Sequence, residues 1–365
     1  MFFNMKTELH TGEGCVSTYG EKIASFGRKC LIVTGASSAK KCGALDGVTA
    51  VLDKYGVEYR LFDRIGPNPL LSSCMEAGRE GSDCDFIIGI GGGSPLDAAK
   101  AVAVLAANPE LDEDGFYAKK WPAKPLPVVL VGTTAGTGSE VTDVSVLTDS
   151  KGRKHSIHDP VMYAALSLGD PAYTRTMPLK TTLSTGIDAV AHCVESYFSK
   201  KANDISRAAS VRGVKQMKDI LVSAASGMPL SAGDRETLYN GSVLGGIAIS
   251  VTGTCFPHNV GYYLTERYGI PHGMACAAFM GDLIDYESEL DPGYAYAFFR
   301  DADITAEELK NLAGCCSFLS GVKMTADEIR IALPRWENAG TVKNTLGDID
   351  TAFIEKMLNE HFAGN

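Results

Sequence analysis

The sequence lacks any run of about 18 consecutive apolar residues, the length a bilayer-spanning helix needs. Met1–His10 carries neither the basic stretch nor the apolar core of a secretory leader, so the expectation is a cytoplasmic chain with no membrane partner. Positive charge is also short. The 34 Lys and Arg against 44 Asp and Glu leave a formal net charge of −10, whereas nucleic-acid affinity is built from cations that neutralise phosphates. A nucleic-acid partner is therefore not expected. Ten cysteines are present but no two form a C-x-x-C pair, and they read as reduced core residues. Cys193 and the adjacent Cys315 and Cys316 are the candidates for a reactive thiol. Internal repeats, low-complexity tracts and charge blocks are absent.

What is present suits an ordinary globular protein: 45% hydrophobic and 21% charged residues supply large cores and carry no signature of disorder. At 365 residues the chain exceeds one compact core, and two domains are expected. The first half alternates short β-branched runs with helical patterns: Cys30 to Thr34 then Ala39 to Tyr55, Val57 to Phe62 then Leu70 to Gly81, Asp85 to Ile90 then Ser94 to Ala107. Further strands are predicted within Pro122 to Val131 and Val161 to Leu168. That alternation is the pattern of βαβ units and a parallel sheet. From about Leu179 the period becomes helical, through Leu183 to Ser199, Asp204 to Ala224, Arg235 to Val251 and Asn259 to Tyr268. The expected organisation is α/β, a Rossmann-like dinucleotide-binding domain over residues 1–180 followed by an all-α metal-binding and substrate domain over 181–365.

Three loops in the first half carry binding chemistry. Phe86 to Asp97 runs from an apolar strand through Gly91, Gly92, Gly93 and Ser94 into a helix with Pro95 in its first turn. Glycines admit close approach of a pyrophosphate, and a helix start offers unpaired N–H groups. Such turns are also common without a ligand, and Ser94 stands where the G-x-G-x-x-G fingerprint has its last glycine. The second loop, Gly132 to Glu140, sets the hydroxyls of Thr133, Thr134 and Thr137 among glycines, a composition that suits ribose or phosphate. The third, Thr34 to Lys41, holds Gly35, Ser37, Ser38 and Lys41 and no acid. A carboxylate there would favour a ribose 2′-hydroxyl and repel a 2′-phosphate, so NADP(H) is expected over NAD. Ser37 or Ser38 as a plain helix cap, and Asp63 as a ribose ligand, are the alternatives.

In the second half Asp188 and His192 lie four residues apart in a helical stretch, stacked one turn apart on one face. Such a pair alone is usually a hydrogen-bonded surface or core feature. His258 and His272 change the balance, because three imidazoles and a carboxylate could bind Fe²⁺ or Zn²⁺ and leave a position for a substrate oxygen. His10, His155, His158 and His361 read as local structural or surface residues.

Taken together, Gly91-Gly92-Gly93-Ser94-x-x-Asp97-x-x-Lys100, Thr133-Thr134-x-x-Thr137-Gly138-Ser139-Glu140, Asp170-Pro171, Gly186-x-Asp188-x-x-x-His192-x-x-Glu195 and Pro271-His272-Gly273 resemble the iron-containing (group III) alcohol dehydrogenases. That family shares its fold with glycerol dehydrogenase and dehydroquinate synthase. The likeness spans roughly Cys30 to Met280. It implies Asp188, His192, His258 and His272 as metal ligands, and Gly92, Gly93, Ser94, Thr133, Thr134 and Lys154 as cofactor contacts, with Asp97 and Thr137 of the same loops as further cofactor-binding candidates. It further implies a small alcohol or aldehyde as substrate and a homodimer. Family members commonly carry a second histidine four residues after the third metal ligand, where this chain has Tyr262. Tyr262 and His258 are accordingly the candidate catalytic residues, and a tyrosine with a reference pKa near 10 is the poorer base at neutral pH. A dehydroquinate synthase-like or glycerol dehydrogenase-like enzyme, and a relative that binds without turnover, are the rival readings.

Overall fold

The structure is a computed structural model that describes residues 3–317, 319 and 321–362. The strands among the described residues are β1 (Glu8–Thr11), β2 (Lys29–Thr34), β3 (Glu58–Phe62), β4 (Phe86–Gly91), β5 (Val128–Gly132), β6 (Val144–Thr148), β7 (Lys154–His158) and β8 (Leu166–Gly169). The apolar runs form strands because alternate side chains can be buried on opposite faces. In β2, Cys30 and Ile32 enter one buried cluster while Leu31 and Val33 enter the other. Phe86, Ile88 and Ile90 of β4 part from Ile87 in the same way. Burial on both faces is what helix-covered parallel sheets require.

Six strands form one sheet in the order β1-β8-β5-β4-β2-β3, and every pairing in it is parallel. The chain passes from β2 outward to β3 and then returns to β4 on the other side of β2. That reversal is a topological switch point, where open α/β sheets bind ligands beyond the carboxyl ends of their strands. The loops after β2, β4 and β5 leave three adjacent strands at that same end. The expected strand within Val161 to Leu168 is shorter and later, at Leu166–Gly169, because Pro160–Met162 turns as a 3₁₀ segment. Sequence reading also passed over β1 and the antiparallel β6–β7 pair.

The helical part opens at Leu179–Tyr197 and continues through Asp204–Ala225, Ala232–Thr252, Phe256–Tyr268, His272–Ala277 and Met280–Leu290. Asn203 caps the Asp204–Ala225 helix with a reciprocal bond from Ser206, which fixes where it starts. Two compact units result, and a single cut near residue 180 does not describe them. Residues Asn4–Pro178 are joined by Ser231–Gly246, while Leu179–Leu230 and the chain from Ile247 onward form the other unit. The physical reason is specific: Tyr239 Oη donates to Glu140 at 2.8 Å and Arg235 Nη1 donates to Thr174 O at 2.7 Å. These bonds tie the first part of the Ala232–Thr252 helix to the α/β unit. Among the described residues no helix is long and apolar enough to cross a membrane.

Candidate active site

In the α/β unit the glycine loop closes β4 and starts the Gly93–Ala107 helix, with Gly92 at the N-cap. A Cβ on Gly92 would stand 2.9 Å from Thr134 Cγ2, and one on Gly93 would stand 2.7 Å from Thr137 Cγ2. The two predicted loops are therefore packed against each other, and only glycine permits that approach. Thr133 reinforces the junction by donating its N–H to Gly91 O at 2.9 Å. Ser94 lies in the first turn of the Gly93–Ala107 helix, whose start leaves backbone N–H groups without intrahelical partners.

Asp97 sits one turn deeper. One carboxylate oxygen accepts from Ser139 Oγ at 2.6 Å and the other from Val146 N at 2.9 Å, so its contacts are with the chain. Beside it Lys100 is fully buried and donates to Ser139 Oγ and to Val144 O, each at 2.8 Å. Burial pushes the Asp97 carboxyl up and the Lys100 ammonium pKa down. The pair staples the glycine helix to the segment after β5. Lys154, at the start of β7, is among the charges that favour ionised Asp97.

After β2, Ser37 occupies the N-cap position of the short Ser38–Lys41 helix but makes no side-chain cap bond. Gly35 precedes it, and Lys41 closes the turn on an exposed surface. The neighbouring Lys40 pairs with Asp63 at 3.0 Å, which brings a carboxylate beside a loop that has none of its own.

The metal candidates all lie in the helical unit. Asp188 and His192 project from Leu179–Tyr197, His258 from the start of Phe256–Tyr268, and His272 from the first position of His272–Ala277. Asp188 Oδ1 is 3.5 Å from His258 Nε2, 3.9 Å from His272 Nε2 and 4.0 Å from His192 Nε2. The His192 and His258 rings stack with centroids 4.7 Å apart. The approach depends on Gly273, since a Cβ there would fall 1.9 Å from Ser184 O and 2.7 Å from Asp188 Cβ. All four residues predicted as ligands thus meet, from three helices.

Glu195, one turn beyond His192, supplies the support. Its Oε1 lies 2.5 Å from His258 Nδ1 and its Oε2 accepts Cys255 N–H at 2.7 Å. Holding Nδ1 in this way directs Nε2 of the same ring toward Asp188 and fixes the tautomer a metal needs. Burial alone would raise the Asp188 pKa, yet His192, His272 and His258 together hold that carboxyl below its ordinary range. Burial works against charge on His258 as well, but Cys276, Glu195 and Asp188 outweigh it and raise its pKa well above the usual value. The two directions express one mutual attraction between the Asp188 carboxylate and the imidazoles around it.

Asp188 Oδ1 and His258 Nε2 are buried and have no hydrogen-bond partner among the described residues. Buried polar atoms without partners are rare in native folds, and two that face one another at 3.5 Å suit a shared cation. The donor set fits iron or zinc.

Sequence reading placed Tyr262 here, and the structure sets its ring against His272, with centroids 5.2 Å apart and planes inclined by 22°. It did not find Cys276, whose thiol lies within the same cluster of donors. The signal was available, because Cys276 follows His272 at the four-residue spacing that joined Asp188 to His192. Burial pushes the Cys276 thiol up to about 11. Cys193 and Cys316 are buried with thiols pushed up to about 12, which marks them as core, whereas Cys315 is exposed. All ten cysteines are free. His10, His155 and His361 pair locally with Glu8, Asp149 and Asp282.

The profile described as "Iron-containing alcohol dehydrogenase" matches residues 6–171, and that described as "Fe-containing alcohol dehydrogenase family, C-terminal" matches residues 182–333. The chain is 31% identical over 329 residues to 1,3-propanediol dehydrogenase of Klebsiella pneumoniae, covering 88% of this chain and 83% of that protein. It is 29% identical over 332 residues to lactaldehyde reductase of Escherichia coli (strain K12), covering 88% and 81%. The crystal structure of an iron-containing alcohol dehydrogenase from Thermotoga maritima superposes with a TM-score of 0.91 at 33% identity, over 100% of this chain and 99% of that one.

Proposed function

The chain belongs to the iron-containing alcohol dehydrogenase family, and from that premise we propose that it interconverts a small alcohol and its aldehyde with a nicotinamide cofactor and a bound divalent metal. The observation that carries this reading is the convergence of Asp188, His192, His258 and His272, two of whose buried donor atoms have no hydrogen-bond partner among the described residues. When bound, a divalent iron or zinc ion supplies Lewis acidity toward an alcohol or carbonyl oxygen, and the nicotinamide supplies or accepts a hydride.

The chain's own residues do the positioning. Asp188 and the three histidines would hold the ion, and Glu195 keeps His258 Nε2 aimed at it. Tyr262, on the ring of His272, is the candidate to hold or pass the proton at its phenol oxygen. In the α/β unit, Gly92, Gly93 and Ser94 would admit the pyrophosphate against helix N–H groups, with Thr133, Thr134 and Thr137 supplying hydroxyl contacts. Gly35, Ser37, Ser38 and Lys41 would face the adenosine ribose. The absence of an acid in that loop and the presence of Lys40 and Lys41 support NADP(H), with a 2′-phosphate competing against Asp63 for Lys40. We assign Fe²⁺ as the working metal with Zn²⁺ as the alternative, and a homodimer as the assembly.

The test is turnover of short alcohols and aldehydes by chelated protein before and after Fe²⁺ or Zn²⁺ is restored, run with NADPH and with NADH. Activity that is unchanged in metal-free protein refutes the metal reading. A higher kcat/KM with NADH refutes the cofactor preference and leaves the rest standing.

A further inference from the structure

The His272–Ala277 helix returns Cys276 to the face that carries His272, and the thiol sulfur lies 3.5 Å from His272 Nδ1 and 3.8 Å from Nε2. Asp188, His258, His272 and Cys276 each present a donor atom, and these four atoms all lie within 4.8 Å of one another. Around a tetrahedral zinc with Zn–N of ~2.0–2.1 Å and Zn–S of ~2.3 Å, donor atoms stand roughly 3.3–3.6 Å apart. The 3.5 Å from Cys276 Sγ to His272 Nδ1 and the 3.5 Å from His258 Nε2 to Asp188 Oδ1 lie within that range.

One feature of the cluster points to a ligand, and the thiol lies beside it. Asp188 and His258 are each only 2% exposed, and the oxygen and nitrogen they turn toward one another have no hydrogen-bond partner among the described residues. Cys276 is fully buried at the same place, where a thiol would otherwise serve only as a small apolar filler.

We propose that Cys276 is a direct sulfur ligand of the metal, a donor additional to the aspartate and imidazoles. The thiol proton leaves to solvent as the metal–sulfur bond forms. A thiolate in the donor set favours zinc or ferrous iron over hard ions such as Mg²⁺ and Mn²⁺. This inference rests on the metal-centre reading given under the proposed function.

Zinc K-edge X-ray absorption on the full-length protein loaded with Zn²⁺ alone tests it, with Cys276→Ser and Cys276→Ala alongside. Wild type should show one sulfur scatterer at ~2.3 Å beside nitrogen and oxygen scatterers at ~2.0–2.1 Å. Each variant should lose the sulfur shell and keep the lighter one. A wild-type spectrum with nitrogen and oxygen scatterers only overturns the assignment of Cys276 while leaving the metal centre intact, and it decides the matter even if a variant fails to fold. A sulfur shell that persists in both variants overturns it in favour of another cysteine. Wild-type protein that retains no zinc overturns both this proposal and the metal-centre reading.

Discussion

Glu195 is not itself a predicted ligand, yet it holds the ring of one, His258. Its two oxygens accept from two different donors, His258 Nδ1 at 2.5 Å and Cys255 N at 2.7 Å, in a fully buried setting. Glu195→Gln keeps the shape but replaces one acceptor with an NH₂ donor, so one of the two N–H groups must face another donor. Leaving a buried donor unsatisfied costs about 1–3 kcal/mol. Even where the amide oxygen stays on His258, the bond loses its charge assistance and becomes roughly half as strong. Removing the orienting partner of a metal-bound histidine typically lowers metal affinity about 10–100-fold, or ~1.4–2.7 kcal/mol. Both estimates fall in the same range. The expected outcome is a Zn²⁺ affinity reduced by that factor in a competition titration against a chromophoric chelator, together with a lower melting temperature for metal-free protein. Affinity within twofold of wild type at unchanged thermal stability would show that the His258–Glu195 contact does not orient the ligand.

Other expectations follow from separate contacts. Gly273→Ala forces a methyl group to within 1.9 Å of Ser184 O, so it should cost about 1–3 kcal/mol in a denaturant titration and abolish stoichiometric metal binding. Metal bound at full stoichiometry would contradict the placement of His272. Glu287 is buried and its carboxyl is pushed up to about 8 by desolvation, with Lys200 offsetting part of that shift. Between its ordinary value of 4.5 and about 8 the folded chain holds a proton that the unfolded chain releases, so stability is lost as pH rises through that window. Glu287→Gln removes the penalty. Its stability advantage should grow from near zero at pH 4.5 to on the order of 4 kcal/mol at pH 8, and a pH-independent difference would argue against a neutral Glu287. Tyr262→Phe should lower kcat roughly 10²-fold and change its pH profile if the phenol relays the proton. An unaltered profile would assign the relay to solvent.

Much of this site was legible in the sequence because its signals are local. Asp188 and His192 share a helix face by spacing alone, and the Gly91–Ser94 turn between an apolar strand and a helix announces its own geometry. The alternation of strands and helices likewise fixed a parallel sheet, since strands buried on both faces must be apolar throughout. Where the pattern is weaker it failed. The short β1, the β6–β7 pair and the turn at Pro160–Met162 have too few residues for a period to show. The histidines were identifiable as residues and their family likeness as a pattern, but no spacing along the chain places His258 and His272 beside Asp188.

Only tertiary packing decided that. Three helices bring the donors together because Gly273 lets one helix settle against another at a distance no side chain would allow. Packing likewise turned Asp97 and Lys100 from motif members into a buried staple, gave Ser231–Gly246 to the α/β unit, and drew Cys276 into the donor cluster. A sequence specifies periods, caps and turns through neighbours a few residues apart, whereas a site assembled from distant segments exists only once their buried faces have met.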